Sequence, residues 1–369
     1  MELRSKNILI ISPTAWDVSF PARQHYAREL AKLGNVVFFL NPFSKENAVT
    51  EFSRNLYIVD LKPITYLFGL IQANSEQNQI DNIYKLIQRK IDLIWSFDQN
   101  RFTDYQLFGK DVPKILSLEE EIQDEAQIIK IANSVNLCIG MSLPLLEKVK
   151  TSTSSKVLFH HALSNAYTEA IQKLDLIMAN TQFATGRIRC GYLGNLQNKY
   201  IDTLTFEKII KENPIVEFHL IGPFVKDSNL AESGAKTWED PFIEFLMSSP
   251  NVRLYGSLMT VRAAEILQTM DMFLVCYDTS QYLNQVANPA KIIEYLSSGN
   301  VVVASKTLQF QDQKELVATV EENEDLPQLF QEVSQSLPNW NREDLKLRRQ
   351  QFALNRTYEK QILRIEKLI

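Results

Sequence analysis

The sequence predicts an α/β protein made of two doubly wound domains with parallel sheets. Three observations predict it. Short apolar runs recur without alternation, as in strands covered on both faces. Each is followed by a segment with apolar residues at helical spacing, the pattern of right-handed crossovers. The series then starts again near Arg187, so the 369 residues hold two such sheets.

The elements follow in order. "NILIIS" (7–12) is the first strand. Pro21 opens "ARQHYARELAKLG", where Ala22, Tyr26, Leu30 and Leu33 share one helical face and Gly34 supplies the stop. "VVFFL", "YIVDL", "DLIWSF", "KILSL" and "NLCIGMS" continue the strands, with helical segments at 77–90 and 119–133. "KVLFHHAL" (156–163) closes the first half. The second series reads "RIRCGYLGN", "VEFHLIGP", "VRLYG", "MFLVCYD", "VVVAS" and "LVATV", with helices at 203–212, 262–269 and 289–298. The segment from Arg342 onward reads as one long helix, with Leu345, Leu347, Phe352, Ile362 and Ile365 on its apolar side.

Composition narrows the function classes. Apolar residues make up 45% and charged residues 22%, and the net charge is −5, which argues against a dedicated nucleic-acid binder. Three widely spaced cysteines, Cys138, Cys190 and Cys276, sit in apolar runs with no metal-ligand spacing. A reducing compartment is expected. The opening "MELRSKNILIIS" is too short in apolar residues for a signal peptide, and no run reaches the length of a membrane span. The expectation is a cytoplasmic protein, with association at a membrane surface left open.

Ligands of open parallel sheets bind at the carboxyl ends of the strands. Three places meet that rule. "CGYLGNLQNKY" ends a strand at Gly194, where a missing side chain lets a ligand approach, with Asn195 and Lys199 following. It lacks the spacing of a dinucleotide fingerprint, and an ordinary glycine turn is the alternative.

"NPAKIIEYLSSGNVVVAS" places Asn288 as N-cap, Pro289 at the first helical position and Gly299 at the stop. Lys291 and Glu294 stand three residues apart, roughly 4.5 Å along the axis. They form either an exposed ion pair of little worth or the grip on a phosphate and a vicinal diol.

"SPTAWDVSFPARQH" exposes Trp16, Asp17, Arg23 and His25 after the first strand, as a ligand surface or as packing. His160 and His161 end the first half without a third metal ligand, so no metal site is expected. The acidic run of "SLEEEI" reads as a helix start favoured by the dipole.

The pieces "WDVSFPARQHYARELAKLGNVVFFLNP", "DLIWSFD", "GYLGN", "VEFHLIGP", "NVRLYGSLMTVRAAEILQTMDMFLVCY" and "NPAKIIEYLSSGNVVVAS" occur in an order that resembles the glycosyltransferases of the GT-B fold. The chain is most similar to their retaining nucleotide-sugar group, in particular to bacterial teichuronic-acid and cell-surface-polysaccharide transferases. The most specific piece is Pro-x-Lys-x-x-Glu-Tyr-Leu-x-x-Gly, met here from Pro289 to Gly299.

The resemblance implies two Rossmann-like domains facing a cleft. Residues 1–165 would take the acceptor, 166–186 would link, 187–341 would hold the donor, and the helix at 342–369 would cross back to the first domain. Glu294 would bind the donor ribose. Lys291, Gly194 and Lys199 would surround the diphosphate, with Asn195, Asn288 and Pro289 beside them. Trp16, Arg23 and His25 would line the acceptor side, and Asp17, Asp98 and His160 are the catalytic candidates. The co-substrate would be a UDP- or GDP-sugar, with no permanently bound cofactor and no required metal. The acceptor would be a glycan, a lipid-linked or another envelope molecule, at the inner face of the membrane if the chain associates with one.

Three places depart from the pattern. Val286 stands where many retaining relatives carry glutamate, and Asn195 where many carry arginine. "SFDQNR", with Asp98 and Arg101, stands where many keep a histidine. These departures motivate a second reading, a non-catalytic scaffold in a glycan-assembly complex. A third is a nucleotide-sugar epimerase.

Overall fold

A computed structural model describes residues 2–16, 22–63, 75–119, 122–180, 186–224, 240–286 and 288–369, with side chains left out at 175, 179 and 180. The chain divides into two compact units: Met1–His160 together with Tyr358–Ile369, and His161–Thr357.

The first unit holds β1 (Asn7–Ile11), β2 (Val36–Phe43), β3 (Ala48–Ser53), β4 (Leu56–Leu61), β5 (Leu93–Ser96), β6 (Lys114–Leu118), β7 (Leu137–Gly140) and β8 (Ser155–Leu158). Their order is β3-β4-β2-β1-β5-β6-β7-β8. Every pair is parallel except β3 on β4. Covered on both faces, the central strands are unbroken apolar runs, and β5 and β6 are buried at every residue. Trp95 at the centre is fully buried, and its indole N–H donates to Ser117 Oγ at 2.8 Å. The antiparallel β3 escapes the sequence reading because five of its six residues are exposed, so no apolar period marks it.

The second unit holds β9 (Ile188–Leu193), β10 (Val216–Ile221), β11 (Val252–Gly256), β12 (Met272–Val275), β13 (Val301–Ala304) and β14 (Val317–Thr319), ordered β11-β10-β9-β12-β13-β14 and all parallel. This is the GT-B architecture of two Rossmann-like sheets.

Several expected boundaries shift. The stretch expected to link, 166–186, carries the helices Asn165–Gln172 and Leu174–Asn180. The first of these packs on the helix Thr260–Gln268 and buries Tyr167 and Ala170, so it belongs to the second unit. β8 ends at Leu158, before His160 and His161. In the acidic run, Glu119 follows β6 and pairs with Arg23, and Glu120 and Glu121 lie outside the described residues; the helix expected from 119 is described from Glu125, behind an Asp124 cap.

The long terminal helix is two helices, Glu343–Leu354 and Tyr358–Ile365. They fall in different units. In the second helix Ile362 and Ile365 are buried as expected, and it packs on the helix Ala22–Lys32. In the first, Leu347 is exposed and the buried residues are Arg349 and Ala353. Arg349 is a clasp. Its Nε donates to the carbonyls of Glu315 and Leu316, and Nη1 to those of Gly299 and Trp340, at 2.8–3.2 Å. Burial lowers its pKa to about 10, so it stays charged at neutral pH.

Replacing Arg349 with methionine would leave those four carbonyls, the buried one of Gly299 among them, without these donors. We expect a loss of about 3 kcal/mol, or roughly 6–12 °C in the Tm of a unit this size. Differential scanning calorimetry of the variant against the parent chain checks this, and an unchanged melt would dismiss the clasp.

Candidate active site

The second sheet reverses its strand order between β9 and β12, which makes the crevice outside their carboxyl ends the ligand position of such a fold. The two strands pair only as far as Gly191 and Phe273, and beyond them they part. The N–H of Leu193, at the end of β9, donates instead to the Tyr295 hydroxyl at 2.6 Å. Tyr295 is fully buried and stacks on Phe273, centroids 4.4 Å apart and planes within 8°. It therefore ties the helix Ala290–Leu296 to both strands at the point where they separate.

The exit loops of β9 and β10 meet backbone to backbone. Gly194 donates to the Ile221 carbonyl at 2.9 Å, and Leu196 to that of Pro223 at 3.0 Å. A Cβ on Gly222 (φ +142°) would lie 2.0 Å from the Gly194 carbonyl oxygen. Gly194 itself (φ +150°) faces Lys291, whose Nζ would be 2.7 Å from any Cβ there. The missing side chain is the space that the ammonium occupies.

Lys291 and Glu294 are half-buried and do not form the exposed ion pair that their spacing allows. They take different partners. The Lys291 ammonium lies 3.9 Å from the centroid of the Tyr192 ring and 5.0 Å from that of Tyr277, and hydrogen-bonds the Tyr277 side chain. Burial alone would lower its pKa, but Tyr192, Tyr277 and Tyr295 outweigh that, and it rises above the ordinary lysine value. Glu294 hydrogen-bonds Tyr167, a fully packed residue of the helix Asn165–Gln172. Burial pushes its carboxyl up to about 7, against the opposing pull of Tyr167 and of Lys291.

The other second-unit candidates have different places. Pro289, not Asn288, is the N-cap: the helix starts at Ala290, one residue later than expected, and the Pro289 carbonyl accepts from Ile292 at 3.1 Å. Asn288 is half-buried just before it. Asn195 is exposed and its Oδ1 accepts from the Gln197 N–H at 2.9 Å, closing the loop on itself. Lys199 is exposed over the rings of Tyr200 and Tyr282. Val286 is buried in the core. Sequence reasoning missed the tyrosines at 167, 192, 277 and 295. Aromatic residues within apolar runs read as core, and all four of these are also core.

In the first unit, Asp17 lies outside the described residues. Trp16 packs against Phe39 and Phe52 with centroids 4.8 and 4.9 Å away, and its N–H donates to Asn41 Oδ1 at 2.8 Å. Arg23 is buried, with Nη1 3.2 Å from Glu119 and Nη2 on Thr14 Oγ1. His25 stacks on Tyr358. Asp98 is buried and its Oδ1 accepts the N–H groups of Asn100 and Arg101 at 2.8 and 3.1 Å, so one oxygen caps the loop after β5. The His160 carbonyl accepts from Gln361 Nε2 at 2.7 Å. Among the described residues, no three His, Cys, Asp or Glu side chains converge as a metal site, and no helix is long and apolar enough to cross a membrane.

Two outcomes follow from this geometry. Gly222→Ala forces a backbone clash at a positive φ, so a loss of about 3 kcal/mol or more is expected, measured by thermal melting of the purified variant. The folded pKa of Glu294, about 7, lies above its unfolded value. Its neutral form therefore adds stability that is complete below pH ~4.3 and lost as pH rises through 7. The parent chain should lose more stability than Glu294→Gln between pH 5 and 8 in paired melts, and parallel curves would contradict the raised pKa.

No protein-family model and no curated protein matches the sequence. Solved structures do match in fold. A glycosyltransferase from Rickettsia africae is 12% identical with a TM-score of 0.69, covering 98% of each chain. Anabaena HepE in complex with UDP-glucose is 12% identical with a TM-score of 0.64, over 99% of this chain and 100% of its own. A UDP-GlcNAc 2-epimerase from Neisseria meningitidis, bound to UDP-GlcNAc, is 12% identical with a TM-score of 0.57, over 98% and 100%. At such identities the shared property is the fold.

Proposed function

We propose that this chain transfers a sugar from a nucleoside-diphosphate sugar to a hydroxyl of a glycan or other envelope acceptor, with retention at the anomeric carbon. The observation that carries this reading is one helix at the β9–β12 switch point bearing a cation and a carboxyl with separate partners. Lys291, beside the bare backbone of Gly194, would hold the diphosphate. Glu294, one turn deeper, would accept hydrogen bonds from the ribose diol. The chemistry asked of the donor side is electrostatic: a fixed ammonium stabilises the charge that grows on the departing diphosphate. The fold neighbour solved with UDP-glucose supports this donor class.

Two rival readings each rest on one observation. The acid that many retaining relatives carry is replaced by the core residue Val286, which favours a binding partner without turnover. A fold neighbour is an epimerase, which would convert the donor with no acceptor present. Nucleotide release from a donor panel separates the three readings. Release that depends on acceptor supports transfer, donor conversion alone supports epimerisation, and binding without either supports the scaffold.

Isothermal titration with UDP and GDP tests the site itself. Lys291→Ala should weaken binding about 10- to 100-fold, the worth of one or two charge-assisted hydrogen bonds. Glu294→Ala should cost about tenfold. If neither nucleotide binds the parent chain, or if Glu294→Ala binds as the parent does, the donor assignment is wrong.

A further inference from the structure

The first sheet also reverses its strand order, between β1 and β5. A cavity of about 250 Å³ opens there, lined by Pro13 after β1, Phe97 after β5, and residues around the start of the helix Glu125–Asn133. None of the residues anticipated for the acceptor side lines it: Trp16, Arg23 and His25 are used in packing and pairing elsewhere in the unit.

Its chemistry is specific. Four residues with carboxamide side chains line it, Gln99, Asn100, Gln123 and Gln127, together with Asp124 and Phe97. A carboxamide both donates and accepts, as a sugar hydroxyl does. Phe97 is buried and stacked on Trp95, with centroids 5.4 Å apart, so the apolar wall is fixed. Gln127 Nε2 donates to the Gln99 carbonyl at 3.2 Å, which holds both residues in place.

Three features disfavour an anion. Among the described residues, no lysine or arginine lines the cavity. The nearby helix start is already taken by Asp124, whose Oδ1 accepts the Gln127 N–H at 2.9 Å, with Glu125 in the first turn. The Asn100 N–H is likewise taken by Asp98. The volume falls below the ~300–1,000 Å³ of pockets that enclose drug-sized ligands, so it suits one saccharide ring better than a lipid chain.

We infer that this pocket binds a neutral, hydroxyl-rich saccharide unit and excludes uronic acids and sugar phosphates. Its role as the acceptor subsite rests on the transferase reading above; its preference for neutral sugars does not.

Saturation-transfer NMR on the full chain, without nucleotide, tests it with the methyl glycosides of glucose, galactose, mannose and N-acetylglucosamine, and with methyl glucuronide and galacturonide. At least one neutral glycoside should bind ten times or more tightly than either uronide. Gln123→Leu, at an exposed position, should weaken it fivefold or more with Tm and the UDP titration unchanged, and Gln127→Leu, which also loses the bond to the Gln99 carbonyl, should weaken it fivefold or more with the UDP titration unchanged. Uronides binding as well as neutral glycosides would overturn the inference. So would no binding by any neutral glycoside, or full binding by both variants. Neutral-sugar binding in a chain that binds no UDP would support the pocket while removing the transferase reading.

Discussion

The second unit turns on one close approach of backbone to backbone. Gly222 and Gly194 stand so near that any side chain at Gly222 would penetrate the Gly194 carbonyl. That approach fixes the exit loops of β9 and β10. With β9 and β12 parted beyond Gly191, it leaves a crevice whose wall is main chain. An ammonium can occupy such a crevice only where no Cβ intrudes, so the position of Lys291 follows from the glycines before it follows from its own helix.

Electrostatics then separates two residues that lie three apart on one helix. Lys291 is held by aromatic rings and a hydroxyl, Glu294 by a buried tyrosine from another helix. A carboxyl whose pKa sits near 7 is divided between its two forms at physiological pH. A ligand offering two hydroxyl donors would draw it toward the carboxylate. Across the first sheet's switch point the chemistry differs: carboxamide residues and one aspartate in place of a cation, and a helix start already capped by that aspartate. The two crevices therefore suit different partners, one charged and one neutral.

Most of the architecture was legible because strands buried on both faces leave unbroken apolar runs, and Gly34 and Gly299 mark helix ends. β3 was not legible, since an exposed edge strand carries no such period. The terminal segment misled for a related reason. Leucine spacing suggested an apolar side, while the buried position went to Arg349, an arginine that serves four carbonyls and resembles a surface residue in sequence. Of the site, Lys291, Glu294 and Gly194 could be singled out from strand-exit logic. The tyrosines could not, because a ring that packs a core and a ring that holds a cation have the same local sequence. Neither could the carboxamide pocket, whose members come from two separate loops and one helix.

The helix Tyr358–Ile365 belongs to the unit that begins the chain, where Tyr26 bonds Gln361, His25 stacks on Tyr358, and Arg364 lies over Phe159. A ribosome must therefore make all of His161–Thr357 before this covering arrives. At ~5–20 residues per second that interval is roughly 10–40 s. During it, the apolar face of Ala22–Lys32 that will receive Ile362 and Ile365 stands uncovered in the nascent chain, an opening for chaperones as well as for misassembly. The second unit has no such debt to later sequence and can close first, reversing the usual amino-to-carboxyl order of domain completion.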